Sequence, residues 1–422
     1  MFKKLLLSVT SLMSTGIIMN AFADQYSPQN SNNYAGYSSN SAQGNNVGQQ
    51  SNTSSQGNNS GQYQGNNSGQ YQGNNPNQNI NGQFQNSNNS AQNKQNNVHK
   101  ELEIEFLRGD KKVVKELIEH RYSEIVSSAE AVKLALFLMA HYGFFNPMDK
   151  MLKDPKLCYK PNQHEVNKLL DGAASGHLGT IKYLLTSPAG IPLPNHKGIS
   201  KAFSTAACGG HLSIMDALIQ QQNLPAPSQE SVNEAFFLAA GSGHKDILTW
   251  LLTPHNLANG NSLPLPDQTA ARHALTWAAQ NGHLHIVEFL YASQKNITLP
   301  DQTEVNHALW AAARHGHHHI INYITTQQQA GAPLPDQAGI NHAFKEAAIK
   351  GHLHIMTYFL AQHAGVPMPD QNSIAKVYSE VHTEEEEKDS AQRVEILKFL
   401  RDLLQQPTAQ PAVAQVTKTS TL

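Results

Sequence analysis

Apolar positions along this chain fall into three regimes. From Leu5 to Met19 they run almost unbroken behind Lys3 and Lys4, from Asp24 to about Asn97 they nearly vanish, and from residue 98 to about 405 they return as short stripes. In that last region the stripes come in pairs. A first one ends in paired alanines, as in Ala278-Ala279, Ala312-Ala313 and Ala347-Ala348, and a second follows at once, as in Ile320-Ile321 with Tyr323-Ile324. Such spacing predicts two short amphipathic helices joined by a tight turn, repeated along the chain.

Two kinds of punctuation share one period. Gly-His occurs at Gly176, Gly210, Gly243, Gly282, Gly316 and Gly351, separated by 34, 33, 39, 34 and 35 residues. Upstream of each unit stands a proline followed by Asn, Ser or Asp: Pro161-Asn162, Pro194-Asn195, Pro227-Ser228, Pro266-Asp267, Pro300-Asp301, Pro335-Asp336 and Pro369-Asp370. The proline keeps the preceding segment extended, and the Asx or Ser side chain accepts from the free N–H groups of a first helical turn. Leu107-Arg108-Gly109-Asp110 and Gly143 fit the same spacing as an atypical and a degenerate early unit. Val394 to Leu400 fits the second helix of a last one, and the four glutamates within Thr383–Ser390 read as a longer loop in place of its turn.

The first two regimes predict different physics. Ala21-Phe22-Ala23 presents small residues before Asp24, so residues 1–23 read as a secretory signal peptide; the apolar run is shorter than the roughly 20 residues a spanning helix needs. Residues 24–97 hold Asn, Gln, Ser and Gly with one acidic residue, Asp24, and one basic residue, Lys94, and an octapeptide from Gln56 to Tyr63 recurs unchanged at 64–71. So few apolar groups do not offset ordering entropy, which predicts a disordered tether. Residues 406–422 are expected to be a disordered tail.

The unit Ala-Ala-x-x-Gly-His-Leu-x-Ile-x-x-x-Leu, nearly whole from Ala278 to Leu290, resembles the ankyrin repeat. The resemblance covers about residues 98–405 and implies an all-α, ankyrin-like helix-turn-helix solenoid of about eight to nine repeats. It also implies that the histidine after each turn glycine ties neighbouring turns together. One departure stands out: where the family opens its first helix with Thr-Pro-Leu-His, this chain reads His273-Ala274-Leu275-Thr276, His307-Ala308-Leu309-Trp310 or His342-Ala343-Phe344-Lys345. The side-chain network of that motif is therefore expected to be lost. The Pro-rich connectors are expected to be extended arms with few ladder hydrogen bonds. Trp277 and Trp310 are expected to be buried between repeats.

Composition removes several functions. With 30 basic and 32 acidic residues the net charge is -2, which does not suggest a nucleic-acid binder. Two cysteines exclude a disulfide scaffold or a cysteine-rich zinc module, and Cys158, in an arm, and Cys208, near a turn, are expected too far apart to bridge. All 22 histidines lie at or beyond His99, and His283-x-His285, His352-x-His354 and His317-His318-His319 raise a metal reading. Spacing by two residues diverges on a helix, whereas paired ligands need i and i+4, so no metal site is expected. No nucleophile elbow, phosphate loop or zinc-protease motif occurs, so neither an enzyme nor a cofactor is expected.

Function is therefore expected to be display: an exported, monomeric protein–protein interaction module, periplasmic or secreted, with a secreted effector that meets a host or envelope protein as one form. No membrane insertion after signal cleavage is expected. The resemblance implies binding residues on the concave side, before each turn glycine and in the first turn after each cap. Here those are Ser242, Gln280, Asn281, Arg314, His315, Ile349 and Lys350, with Gln268, Gln302, Thr303, Glu304 and Gln337 on the adjoining edge. Two other readings stay open: a surface or matrix protein that self-assembles through its Asn/Gln tract, and a histidine-rich metal-binding protein.

Overall fold

The computed structural model describes residues 97–405 except 187, 222–223, 258–259, 293–296, 327–330 and 384–390. The segments expected to be signal peptide, tether, tail and four-glutamate loop fall almost entirely outside the described residues. The chain divides at Ile125/Val126 into two compact units. In the first, helix α1 (97–108) turns at Gly109 into α2 (Lys111–His120), which Asp110 caps by accepting from Lys112 N at 3.0 Å; a single turn, α3 (Tyr122–Ile125), follows. The Arg121 guanidinium clamps Glu101 and Glu124, both at 2.7 Å. This is the expected atypical unit.

Helix pairs fill the second unit. First helices are α4 (Ala129–Tyr142), α6 (Gln163–Ala173), α8 (His196–Cys208), α10 (Gln229–Gly241), α12 (Gln268–Gln280), α14 (Gln302–His315), α16 (Gln337–Ile349) and α18 (Gln371–Thr383). Their partners are α5 (Phe145–Lys153), α7 (Leu178–Leu184), α9 (Leu212–Ile219), α11 (Lys245–Leu251), α13 (Leu284–Tyr291), α15 (His318–Thr326), α17 (Leu353–Phe359) and α19 (Ala391–Gln405). We number these pairs repeats 1 to 8. Each first helix packs against the first helices before and after it, giving an all-helical solenoid. Among the described residues there is no strand; the arms are extended, with isolated bridges at Asn256–Ser262 and His363–Val366.

The local causes are those the sequence carries. Asp301 sits in extended conformation and accepts from Glu304 N at 2.8 Å, while the Glu304 carboxylate accepts from Asp301 N at 2.9 Å, a reciprocal capping box. Asn162 makes the same box with Glu165, while Asn195, Ser228, Asp267, Asp336 and Asp370 cap their helices by accepting from the N–H three residues on. The first helices bury a stripe such as Val305, Ala308, Leu309 and Ala312, and the second helices bury Ile320, Ile321 and Ile324. Alanine on that stripe lets neighbouring helices approach closely, so the core is a continuous ribbon through the repeats.

Each turn holds a glycine against a ring from the next repeat. Gly316 lies at φ 82°, a left-handed conformation that costs other residues, and a Cβ there would come 3.0 Å from His352 Cε1. His352 is placed by its own bond, Nε2 to Arg314 O at 3.1 Å; likewise His317 bonds Gln280 O at 2.8 Å and His283 bonds Gly241 O at 3.0 Å. The expected histidine tie is thus present. In repeat 8, where no Gly-His turn occurs, Gln392 takes the ring's place and donates to Gly351 O at 2.7 Å.

The expected loss concerns the family's own motif, and the first turns of this chain are tied by other residues. Their network runs along the arm edge, built from the residues one and five positions after each cap. Gln163, Gln229, Gln302 and Gln337 each donate Nε2 to the next arm's carbonyl, at Leu193, Leu265, Leu334 and Met368, over 2.8–2.9 Å. Asn167, Asn233, Asn306 and Asn341 donate to the next cap's side chain and accept from its backbone N–H. At the remaining junctions the same positions hold Lys133 facing Glu165, Ser200 facing Ser231, and Arg272 facing Glu304. Side-chain amides replace strand pairing here, because the proline arms lack the donors for a ladder.

Candidate interaction surface

The exposed side of the first helices carries an aromatic strip across repeats 4 to 7. Phe237 lies 5.4 Å from Trp277 and meets the His273 ring edge-on at 5.7 Å. Trp310 meets His307 edge-on at 6.3 Å and stacks on His342 at 5.5 Å with 17° between planes. Trp277 also covers Gly241 of the preceding repeat, where a Cβ would fall 2.9 Å from its ring. Both tryptophans are half-buried rather than buried. Each packs against a neighbouring repeat and stays partly exposed, an arrangement suited to binding anchors. The sequence flagged the tryptophans; it missed Phe237 and the three histidines. The signal was available, since His273, His307 and His342 stand at the same position of three consecutive units.

The residues expected from the family's binding positions separate into two groups. Asn281, His315 and Lys350 are exposed at the turns, with Gln280, Ser242, Arg314 and Ile349 half-buried beside them. Some carry structural bonds as well: Asn281 Nδ2 donates to Gly241 O at 2.7 Å, Arg314 pairs with Glu346 at 2.5 Å, and the Ser242 hydroxyl touches Cys208 Sγ at 3.5 Å. The second group lies at the arm edge and, Thr303 excepted, its polar atoms bond to the neighbouring repeats. Gln302 and Gln337 belong to the amide network above. Gln268 accepts from Thr298 through Oε1, at N and Oγ1, and donates to Glu304, whose carboxylate is 2% exposed and also receives Arg272 Nε at 3.2 Å. Thr303 is exposed. The two groups sit at opposite ends of the first helices and are not brought together.

Around the turns of repeats 6 and 7 the imidazoles are crowded. His315 stacks on His317 at 6.4 Å and 10°, and His318 lies 6.2 Å from His354 and 4.9 Å from Tyr358. Desolvation first, and then the neighbouring His317, Arg314, Lys350 and His352, hold the His315 pKa below the ordinary histidine value. His317 and His318 are lowered by the same two effects in the same order, and His273, His283 and His307 chiefly by desolvation. Glu346 is the carboxylate facing this crowd; His342 and Arg314 beside it hold its pKa below the usual range. The second histidines of two pairs are engaged: His285 bonds Gly243 O at 3.0 Å and His319 bonds Gly282 O at 3.1 Å. Among the described residues no three or more His, Cys, Asp or Glu side chains gather to hold a metal ion, and Cys158 and Cys208 are not joined.

One family comparison agrees with this repeat geometry. A family model described as ankyrin repeats matches in three overlapping copies, at residues 203–302, 236–336 and 275–372. No curated protein matches the chain. Among solved structures, the crystal structure of the pentatricopeptide repeat protein PPR10 from maize aligns with 70% of this chain and 41% of its own, at 16% identity and a TM-score of 0.27. This chain thus spans less than half the length of that protein. Among the described residues no helix is long and apolar enough to cross a membrane.

Proposed function

Since residues 203–372 of this chain are ankyrin repeats, we propose that the protein is an interaction module that grips a protein partner along the open side of its first helices and the adjoining turns. The observation that carries this reading is the half-buried aromatic strip of Phe237, Trp277 and Trp310. Large, rigid, partly exposed side chains supply the anchors on which protein interfaces concentrate their energy. The repeat stack supports them by rigidity: caps, histidine ties and amide network fix each first helix against its neighbours, so little ordering entropy is lost on binding. The module acts by display rather than by chemistry, as a monomer.

The test uses a photo-crosslinking residue in the full chain at Asn281 or Lys350, on the turns, and separately at Thr249 or Thr357, on the second helices. A specific adduct from the turn positions that disappears in Trp277→Ala and Trp310→Ala supports the reading. Adducts of equal yield from the second helices, or turn adducts indifferent to both tryptophans, overturn it.

Export belongs to the same proposal, resting on Lys3-Lys4, the apolar run Leu5–Met19 and Ala21-Phe22-Ala23. The mature protein should begin at Asp24; N-terminal sequencing of material from the producing cell that returns Met1 or Phe2 would remove it.

A further inference from the structure

The turns of repeats 6 and 7 gather basic groups from four consecutive helices. α14 ends in Arg314 and His315, and His317 leads into α15, which starts with His318 and His319. α16 ends beside Lys350 and carries His342 and Glu346, and His352 leads into α17, which contains His354. From the preceding repeat, the Gln280 and Gly282 carbonyls face this edge and accept from His317 and His319. Glu288, on α13, acts electrostatically on Tyr323. The facing carboxylate, Glu346, is already shared by Arg314 at 2.5 Å and His342 at 3.6 Å. Every charged neighbour that acts on His315 is basic.

This arrangement repels itself when protonated. Groups so placed gain from any ligand that brings negative charge, and the gain grows as the imidazoles take up protons. The basic character is local, since the whole chain carries a net charge of -2. A local patch two repeats wide beside an aromatic strip fits a short acidic stretch of polypeptide; a long polyanion would run onto a chain of its own sign.

We infer that the turn edge of repeats 6 and 7, with His315 and Lys350 at its centre, is a docking face for an acidic segment of a partner protein, whose carboxylates bind as the imidazoles take up protons. This rests on the interaction-module reading and adds the chemistry of the partner. Arg314 supplies a fixed charge from within its pair with Glu346, Lys350 a second, and the histidines supply charge only as pH falls. Binding and protonation are therefore linked, each favouring the other.

The probe is a synthetic peptide of six consecutive glutamates between Gly-Ser flanks, titrated calorimetrically into the full-length mature protein at constant ionic strength. Affinity should rise by about tenfold between about pH 7.5 and about pH 5.5, as histidines with reference values near 6.5 become charged. At the intermediate pH the observed heat should depend on the buffer's ionisation enthalpy in the sense of proton uptake, which a merely structural role for the histidines would not produce. His315→Gln and Lys350→Gln, each checked for unchanged helicity, should weaken binding, and the His315→Gln variant should flatten the pH slope. Lys245→Gln, on the turn of repeat 4, should change neither.

Equal or weaker affinity at the lower pH, or no effect of His315→Gln and Lys350→Gln, overturns the proposal. So does equally tight binding of a thymidine oligonucleotide or of phosphatidylserine vesicles, which would make the edge a general anion surface. If the peptide fails while the turn crosslinks still depend on Trp277 and Trp310, the interaction-module reading stands and the acidic partner alone is lost.

Discussion

At the scale of single residues the turn glycines do two things at once. Gly316 adopts φ 82° and leaves room for the ring of His352, which itself is pinned to Arg314 O. Gly316→Ala should therefore cost about 1–2 kcal/mol from the left-handed backbone, and more if the ring must move. Gly316→Val should cost more again, since a β-branched side chain opposes that conformation most strongly. The two contributions separate in a double-mutant cycle measured by urea unfolding. In the His352→Ala background the cost of Gly316→Ala should shrink to its backbone part. An unchanged cost there would show that the ring contact contributes nothing. The Gly-His pair was legible as a turn because both residue types recur at one spacing, and the family resemblance implied the histidine's tie between turns; the packing of the His352 ring on Gly316 was not legible, because that contact joins residues 36 positions apart.

At the scale of elements, caps and arms repay comparison with what the sequence suggests. Pro-Asn, Pro-Ser and Pro-Asp placed the starts of the first helices of repeats 2 to 8, since capping is a local interaction within three residues. The amide network was not legible, because Gln302 and Asn306 look like ordinary solvated helix residues until the next arm is laid across them. That is also why Gln268, Gln302, Glu304 and Gln337 read as binding residues from the family's pattern although their polar atoms face the neighbouring repeat. At the junction of repeats 5 and 6 the network is ionic, and Glu304 is buried there with Arg272, Gln268 and the Asp301 N–H around it. Removing one partner of a buried pair strands the other. Arg272→Ala is expected to destabilise by about 2–4 kcal/mol, within the range for breaking buried pairs but reduced because Arg272 itself is partly exposed. Arg272→Ala with Glu304→Ala should recover part of that loss, despite sacrificing the capping box. A double variant less stable than Arg272→Ala by the full cost of Glu304→Ala would show that the two side chains do not interact.

At the scale of the whole molecule, the histidines give the repeat stack a direction of response to pH. His141, His273, His283, His307, His315, His317 and His318 all have their pKa values lowered, with desolvation as the first cause, so folding favours their neutral form. In the unfolded chain each titrates near 6.5. Stability from this source is complete above about pH 6.5 and is lost as pH falls through that value toward the lower folded values, because the unfolded state then binds more protons. Glu346, Asp149 and Asp370 have lowered values too, but carboxylates of that kind lose their contribution only at more acidic pH, below about 4.5. The melting temperature should therefore fall in a first step between about pH 7 and about pH 5, before any carboxylate titrates. Six of the seven lie in repeats 5 and 6, so backbone amides of α12 to α15 should lose hydrogen-exchange protection ahead of those of α6 to α9. An acidic ligand on the turn edge would oppose this loosening by raising the same pKa values. A melting temperature unchanged or higher across that interval, or protection lost first in α6 to α9, would mean that the imidazoles are too well solvated to couple proton binding to the stack.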